Sequence, residues 1–197
     1  MKVFRLFSLA LLGVVLSLVI AFCGQEDIEP DGGGKTEHPN GIPSKIPNNI
    51  IYYITTDDSR IRFDNEDVFG GTKIVSNTYS STKGYGTIEF ASEVTAIENR
   101  AFVEEKTLQY IALPNSVESI GDGAFRSCSG LTSVTIPNSV TSIGDFAFQG
   151  CSGLTSIIIP NSVTSIGEST FYRCGLTSVT IPNSVTSIGD EAFQNCI

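Results

Sequence analysis

Cys128, Cys151, Cys174 and Cys196 recur at intervals of 23, 23 and 22 residues. As thiolates, cysteines bind zinc or attack electrophiles, and in pairs they form disulfides. The spacing disfavours all three. Zinc thiolate pairs stand about two to four residues apart. In stacked repeats, equivalent positions lie one strand spacing apart, about 5 Å, and their parallel Cβ directions give poor bridge geometry. The cysteines are therefore read as a ladder of small apolar core residues, with a disulfide as the first alternative and a metal cluster as the second. Carboxylates recur in the same way: Asp122, Asp145, Glu168 and Asp190 each follow a glycine. Such a series could offer calcium its oxygen ligands, but Asp at the start of a short turn more simply caps it. The one histidine, His38, falls among Gly and Pro and is read as solvated. Without a second histidine, or one inside the repeats, no two-His zinc site or His-based nucleophilic pair can be assembled. No catalytic residue, metal or cofactor is expected, and the chain is read as not an enzyme.

The elements that must position these residues are internal repeats. Pro recurs at 114, 137, 160 and 182, and Phe at 102, 125, 148, 171 and 193. One unit runs Ile136-Pro-Asn-Ser-Val-Thr-Ser-Ile-Gly-Asp145 and continues Phe146-Ala-Phe-Gln-Gly-Cys-Ser-Gly-Leu154. The short interval arises at Cys174-Gly175, which lacks the serine of Cys151-Ser152-Gly153. A degenerate unit begins at Ala91, with Val94, Ile97, Phe102 and Leu108 in register with Val117, Ile120, Phe125 and Leu131. A period of 22–23 lies within the range of leucine-rich repeats. Leu131, Val134 and Ile136 have the spacing of an inward-facing strand, with Thr132, Ser133 and Thr135 pointing out. Val140 and Ile143 bury the next side of the coil, and Gly144 allows a bend that a side chain would obstruct. Asn138 and Ser139 supply a turn, and Ala147-Phe148 form a short helical turn. The fold class expected is a mainly β repeat protein: a leucine-rich-repeat solenoid with parallel strands and short helical turns, about five repeats over 91–197, the last incomplete. Each repeat's core is completed by its neighbours.

Residues 50–90 are expected to form a small N-terminal β cap. Ile50 to Thr55 is β-branched and aromatic, as a strand requires. Arg60-Ile61-Arg62-Phe63 alternates like a returning strand, Asp64 to Asp67 could cap a helical turn, and Lys73–Tyr79 and Tyr85–Phe90 add two more strands. Residues 24–49 read as a disordered linker, rich in Gly, Pro and charge.

Units of the form Ile-Pro-Asn-Ser-Val-Thr-Ser-Ile-Gly-Asp-x-Ala-Phe-x-x-Cys resemble the BspA-like leucine-rich-repeat family of bacterial surface proteins. The resemblance covers 91–197, and Ile51 to Phe90 is similar to the region that precedes such repeats. It implies a parallel β-solenoid with a strand sheet on one face, and adhesion to host matrix proteins, other bacteria or epithelial cells. It carries over no catalytic residue.

The first 23 residues have the layout of a secretory signal: Lys2 and Arg5, then an apolar run from Leu6 to Phe22. Ile20-Ala21-Phe22-Cys23 resembles a lipoprotein signal box, with Phe22 a departure from the small residue usual before the cysteine. Cys23 is the expected lipidation site. The acidic run that follows resembles that of lipoproteins bound for the outer face. The expected location is the cell surface, as an outer-membrane-anchored lipoprotein, with secretion the alternative. The 197-residue chain carries a net charge of −9, which argues against a nucleic-acid partner. Membrane association is expected only through the lipid anchor.

Surface remains as the carrier of function. The strand face offers Tyr110, then Thr132, Ser133 and Thr135, then Thr155, Ser156 and Ile158, then Thr177, Ser178 and Thr180: flat, uncharged and rich in hydroxyls. A second candidate is the convex turn edge with Phe146, Tyr172 and Arg173, residue types common in binding hot spots. The expected function is a non-catalytic surface module that binds an extracellular protein or glycan, such as a host matrix protein. The alternative is a structural fragment of a longer array, pairing edge to edge as a homodimer through its last repeat.

Overall fold

A computed structural model describes residues 38–63 and 69–196. The expectations for the signal segment, Cys23, the linker before His38 and the turn at 64–67 lie outside the described residues. Among the described residues, no helix is long and apolar enough to cross a membrane.

Strands rich in β-branched and aromatic residues build the first sheet. Strands β1 (Ile50–Thr55), β2 (Ile74–Ser80) and β3 (Tyr85–Phe90) join β5 (Leu108–Ala112) and β7 (Ser133–Thr135) in the order β2-β3-β1-β5-β7. β1 runs antiparallel to both β3 and β5, and β5 pairs in parallel with β7. Residues 60–63, expected as the strand returning beside β1, form no strand. Both edges of β1 are already taken by β3 and β5, so no ladder is open to them. Ile61 is nevertheless buried, and its carbonyl accepts a bond from Asn77 Nδ2 at 2.7 Å.

The second sheet is parallel and belongs wholly to the repeats. It consists of two-residue strands: β4 (Ala96–Ile97), β6 (Ser119–Ile120), β8 (Ser142–Ile143), β9 (Ser165–Ile166) and β10 (Ser187–Ile188). Serine pairs with serine and isoleucine with isoleucine from β6 through β10. This ladder, rather than the Leu-x-x-Val-x-Ile segments, runs unbroken through the array. On the Leu-x-x-Val-x-Ile side, pairing beyond β7 is reduced to one bridge, Ile158 to Thr180.

The short turn around each Ala-Phe pair is not helical. N–H groups alternate between a local partner and the next repeat. Ala124 N bonds Gly121 O and Arg126 N bonds Gly123 O, whereas Gly123, Phe125 and Ser127 donate to Asp145, Ala147 and Gln149. Two positions in each turn adopt left-handed φ, as at Phe146 (58°) and Gly150 (74°). A residue that aims its N–H at the neighbouring coil cannot continue an i→i−4 ladder, so stacking replaces helix formation.

The core is a column of rings. Phe102, Phe125, Phe148, Phe171 and Phe193 stack with centroids 5.1, 5.1, 5.5 and 5.2 Å apart and planes within 15°. Phe63 and Phe69 meet Phe102 nearly edge-on, at 5.7 and 5.6 Å. These edge contacts close the column at its N-terminal end, in a geometry that aromatic quadrupoles favour.

The linker expectation fails over residues 38–49. Ile42 and Ile46 are buried against Tyr52, Ile54, Tyr110 and Ala112, on the outer face of the first sheet. The segment begins with the 3-10 turn Pro39–Gly41. Its Gly and Pro content suits a linker, yet two isoleucines four residues apart bury enough apolar surface to hold it as a strap.

Candidate binding surface

On the Leu-x-x-Val-x-Ile side, the alternation expected from the sequence holds. Leu131, Val134 and Ile136 are buried, and so are Leu154, Ile157 and Ile159. Thr132, Ser133, Thr155, Ser156, Thr177, Ser178 and Thr180 are exposed, and Thr135 is half-buried. Ile158 stands out from the hydroxyls with 85% of its surface exposed. The outward residues from 132 to 180 include no ionisable side chain. Thr132 is fixed in place because its N–H and its Oγ1 both donate to Gln109 O, at 2.9 and 3.0 Å.

Tyr110 does not belong to the exposed face. It points outward as the strand pattern requires, but the strap lies over it and leaves it 5% exposed. Its hydroxyl hydrogen-bonds His38 Nδ1 and, at 2.9 Å, Thr135 Oγ1. Burial raises the Tyr110 pKa, opposed by the bond to Thr135. His38 is likewise not a solvated linker residue: it is partly buried against Tyr110, and burial lowers its pKa. Sequence reasoning missed this pairing because 72 residues separate the partners.

At the turn edge, Arg173 lies over the Tyr172 ring, 5.2 Å from its centroid. Phe146 sits one repeat earlier, half-buried, and is in no ring contact among the described residues. Phe146 and Arg173 hold φ of 58° and 56°, in the left-handed region. Arg100, Ser169 and Glu191 share the first position's conformation, and Glu104, Ser127 and Asn195 share the second's. The strain therefore belongs to the repeat itself and does not mark these residues out.

The two chemical ladders serve the stack. Cys128, Cys151, Cys174 and Cys196 are free thiols. Each donates to the carbonyl of a phenylalanine one coil back: Phe102, Phe125, Phe148 and Phe171, at 2.9, 3.1, 3.0 and 3.1 Å. Burial pushes the Cys128 thiol up to about 12. Cys151 is raised first by its thiol bond with Cys174 and then by burial. The carboxylates do not cap their own turns as expected. Asn99 Oδ1 accepts from Asp122 N, Asp122 Oδ1 from Asp145 N, and Asp145 Oδ1 from Glu168 N, at 2.7, 2.9 and 2.7 Å. Each spans 23 residues, from one coil to the next. Serine hydroxyls do the same: Ser116, Ser139 and Ser162 donate to Val94, Val117 and Val140 carbonyls at 2.7, 2.6 and 2.6 Å. The recurrence of Asp and Ser in register was the available signal for these bonds. Among the described residues, no three His, Cys, Asp or Glu gather as a metal-ligand set.

Two parallel ladders, a stacked phenylalanine column and cross-coil polar bonds at every repeat define a β-solenoid repeat protein. The chain belongs to the BspA type leucine-rich repeat family, whose description matches residues 72–197 in 6 copies. That match begins ahead of Ala91, inside the region expected as a cap. The chain is similar to a leucine-rich repeat protein of T. pallidum, at 36% identity and TM-score 0.53, over 54% of this chain and 50% of that one. It is similar also to a leucine-rich repeat protein of Bacteroides ovatus, at 37% identity and TM-score 0.51, over 59% of this chain and 29% of that one. The chain thus spans half of the first and under a third of the second. No curated protein matches it.

Proposed function

We propose that this protein is a non-catalytic binding module of the bacterial cell surface, which recognises an extracellular protein or glycan through the hydroxyl-rich face at 132–180. The observation that carries the reading is that face: exposed hydroxyls, no ionisable side chain, and the exposed Ile158 among them. Extended repeat surfaces of this kind suit macromolecular recognition. Export through the N-terminal signal, with lipidation at Cys23, would place the module outside the cell. Intact-mass analysis of membrane-extracted protein tests that part: a diacylglyceryl-modified N-terminus at Cys23 supports it, and an unmodified terminus elsewhere refutes it.

The binding experiment uses the full chain against immobilised host matrix proteins and mucosal glycans at physiological salt. Beside it runs the triple variant Thr132→Asp, Thr155→Asp, Thr177→Asp. All three side chains are exposed, so the fold should survive, as thermal melting will check. Saturable binding that the triple variant loses supports the reading. Equal binding by both proteins would move the site to the turn edge of Tyr172 and Arg173.

A further inference from the structure

The chain carries its own example of what lies on the outer face of the first sheet. Residues 39–48 cross that face over Tyr52, Ile54, Tyr110 and Ala112. Ile42 and Ile46 enter the contact, while Pro39, Pro43 and Pro47 fix φ at three positions and offer no N–H that would need a partner. The covered surface does not end at the strap. Ala112 pairs with Thr135 across β5 and β7, the Tyr110 hydroxyl bonds Thr135 Oγ1, and the next rungs in register are Ile158 and Thr180, themselves bridged. Ala112, Thr135, Ile158 and Thr180 are therefore one track, with its first position under the strap and Ile158 bare.

Resting on the binding reading above, we infer that the bare part of this track docks an extended, uncharged partner segment rich in proline and β-branched aliphatic residues, chemically like the strap. The track has no ionisable group, so a charged residue brought onto it would lose hydration without gaining a partner. By the repeat register Thr135 and Thr180 occupy the positions on either side of Ile158, so the track is one side chain wide. That width suits a single extended chain, and a proline-restrained segment loses less entropy on ordering. The track from Thr135 to Thr180 also presents no aromatic plane on which a sugar ring could stack, which favours polypeptide over glycan. The strap's own position is filled from the same chain at high effective concentration, so an added segment meets only the bare part.

The test measures fluorescence polarisation of a labelled peptide copying residues 39–48 with Lys45→Ser, titrated with the full chain. The control peptide has Asp in place of both isoleucines. Saturable binding of the first peptide is expected, at least tenfold weaker for the control. Ile158→Asp should weaken it at least tenfold and Ile158→Thr should do so partially, while Tyr172→Ala should leave it unchanged. Ile158 is exposed, so both variants should melt with the parent protein, and Ile158→Thr reproduces the residue found at 135 and 180. Absence of saturable binding, equal binding by Ile158→Asp, or equal binding of the control peptide overturns the inference. The matrix-protein panel separates the two readings. If panel binding depends on Ile158 but the peptide does not bind, only the partner class is wrong. If panel binding ignores the 132–180 face, the site itself is misplaced and both readings fall.

Discussion

The cysteines show how one residue type serves a stack without doing chemistry. A buried thiol raised to about 12, as at Cys128, is almost wholly protonated at neutral pH, and the thiol form is the one that can donate to a phenylalanine carbonyl. Alkylation with iodoacetamide at pH 8 should therefore modify the half-buried Cys196 first and spare Cys128, Cys151 and Cys174 until the protein unfolds; peptide mapping reads the order. The same shift has a pH consequence. A thiol whose pKa rises on folding stabilises the native state fully below its unfolded value, about 8.5, and loses that contribution as pH climbs towards 12. Tyr53, also raised to about 12 by burial, adds to the trend from its ordinary value upwards. Urea midpoints should accordingly fall between pH 9 and 11. At the carboxylate ladder, Asp145→Ala removes the acceptor for Glu168 N and should cost about 0.5–1.5 kcal/mol. Asp145→Asn should cost much less, since Asn99 already fills the first rung. Equal losses in urea titration would contradict an acceptor role.

Among the elements, the strap departed most from its expected role, whereas Gly144 stands where a side chain cannot. Gly144 was expected to allow a bend that a side chain would obstruct, and the obstruction is present although its φ is not left-handed. Its place is set by crowding: a Cβ there would lie 2.4 Å from Asp122 Oδ1 and 2.9 Å from Asp122 N. Gly144→Ala should therefore destabilise by about 1–3 kcal/mol through overpacking. Asp122→Ala in the same chain should recover only part of that, because the backbone clash remains; a double-mutant cycle checks this. The strap rests on two isoleucines and a few hydrogen bonds. Ile42→Ala with Ile46→Ala should release it, so that trypsin cuts after Lys45 far faster while the main melting transition barely moves. Unchanged cleavage would mean that the strap is held by contacts other than these.

Over the whole array, stability is a sum of neighbour contacts. Phe148 is fully buried between Phe125 and Phe171, whereas Phe193 is only partly buried against Phe171. Phe148→Ala should cost about 3–5 kcal/mol and Phe193→Ala clearly less, by chemical denaturation. Equal costs would show that the column does not behave as stacked pairs. The outward residues of the Leu-x-x-Val-x-Ile side from 132 to 180 hold no ionisable group although the chain as a whole carries a net charge of −9.

The repeat register, the inward residues of each coil, the phenylalanine and cysteine columns and the outward hydroxyl face were all legible in the sequence, because stacking places identical residues on identical neighbours. Period alone therefore reports burial. Tertiary structure alone decided which segment of the coil carries the unbroken ladder, why the turn is not helical, and that Asp and Ser bond to the next coil rather than to their own turn. It also decided that Tyr110 is covered. Those outcomes depend on contacts 22 to 72 residues apart along the chain, between groups whose local sequence is equally compatible with solvent.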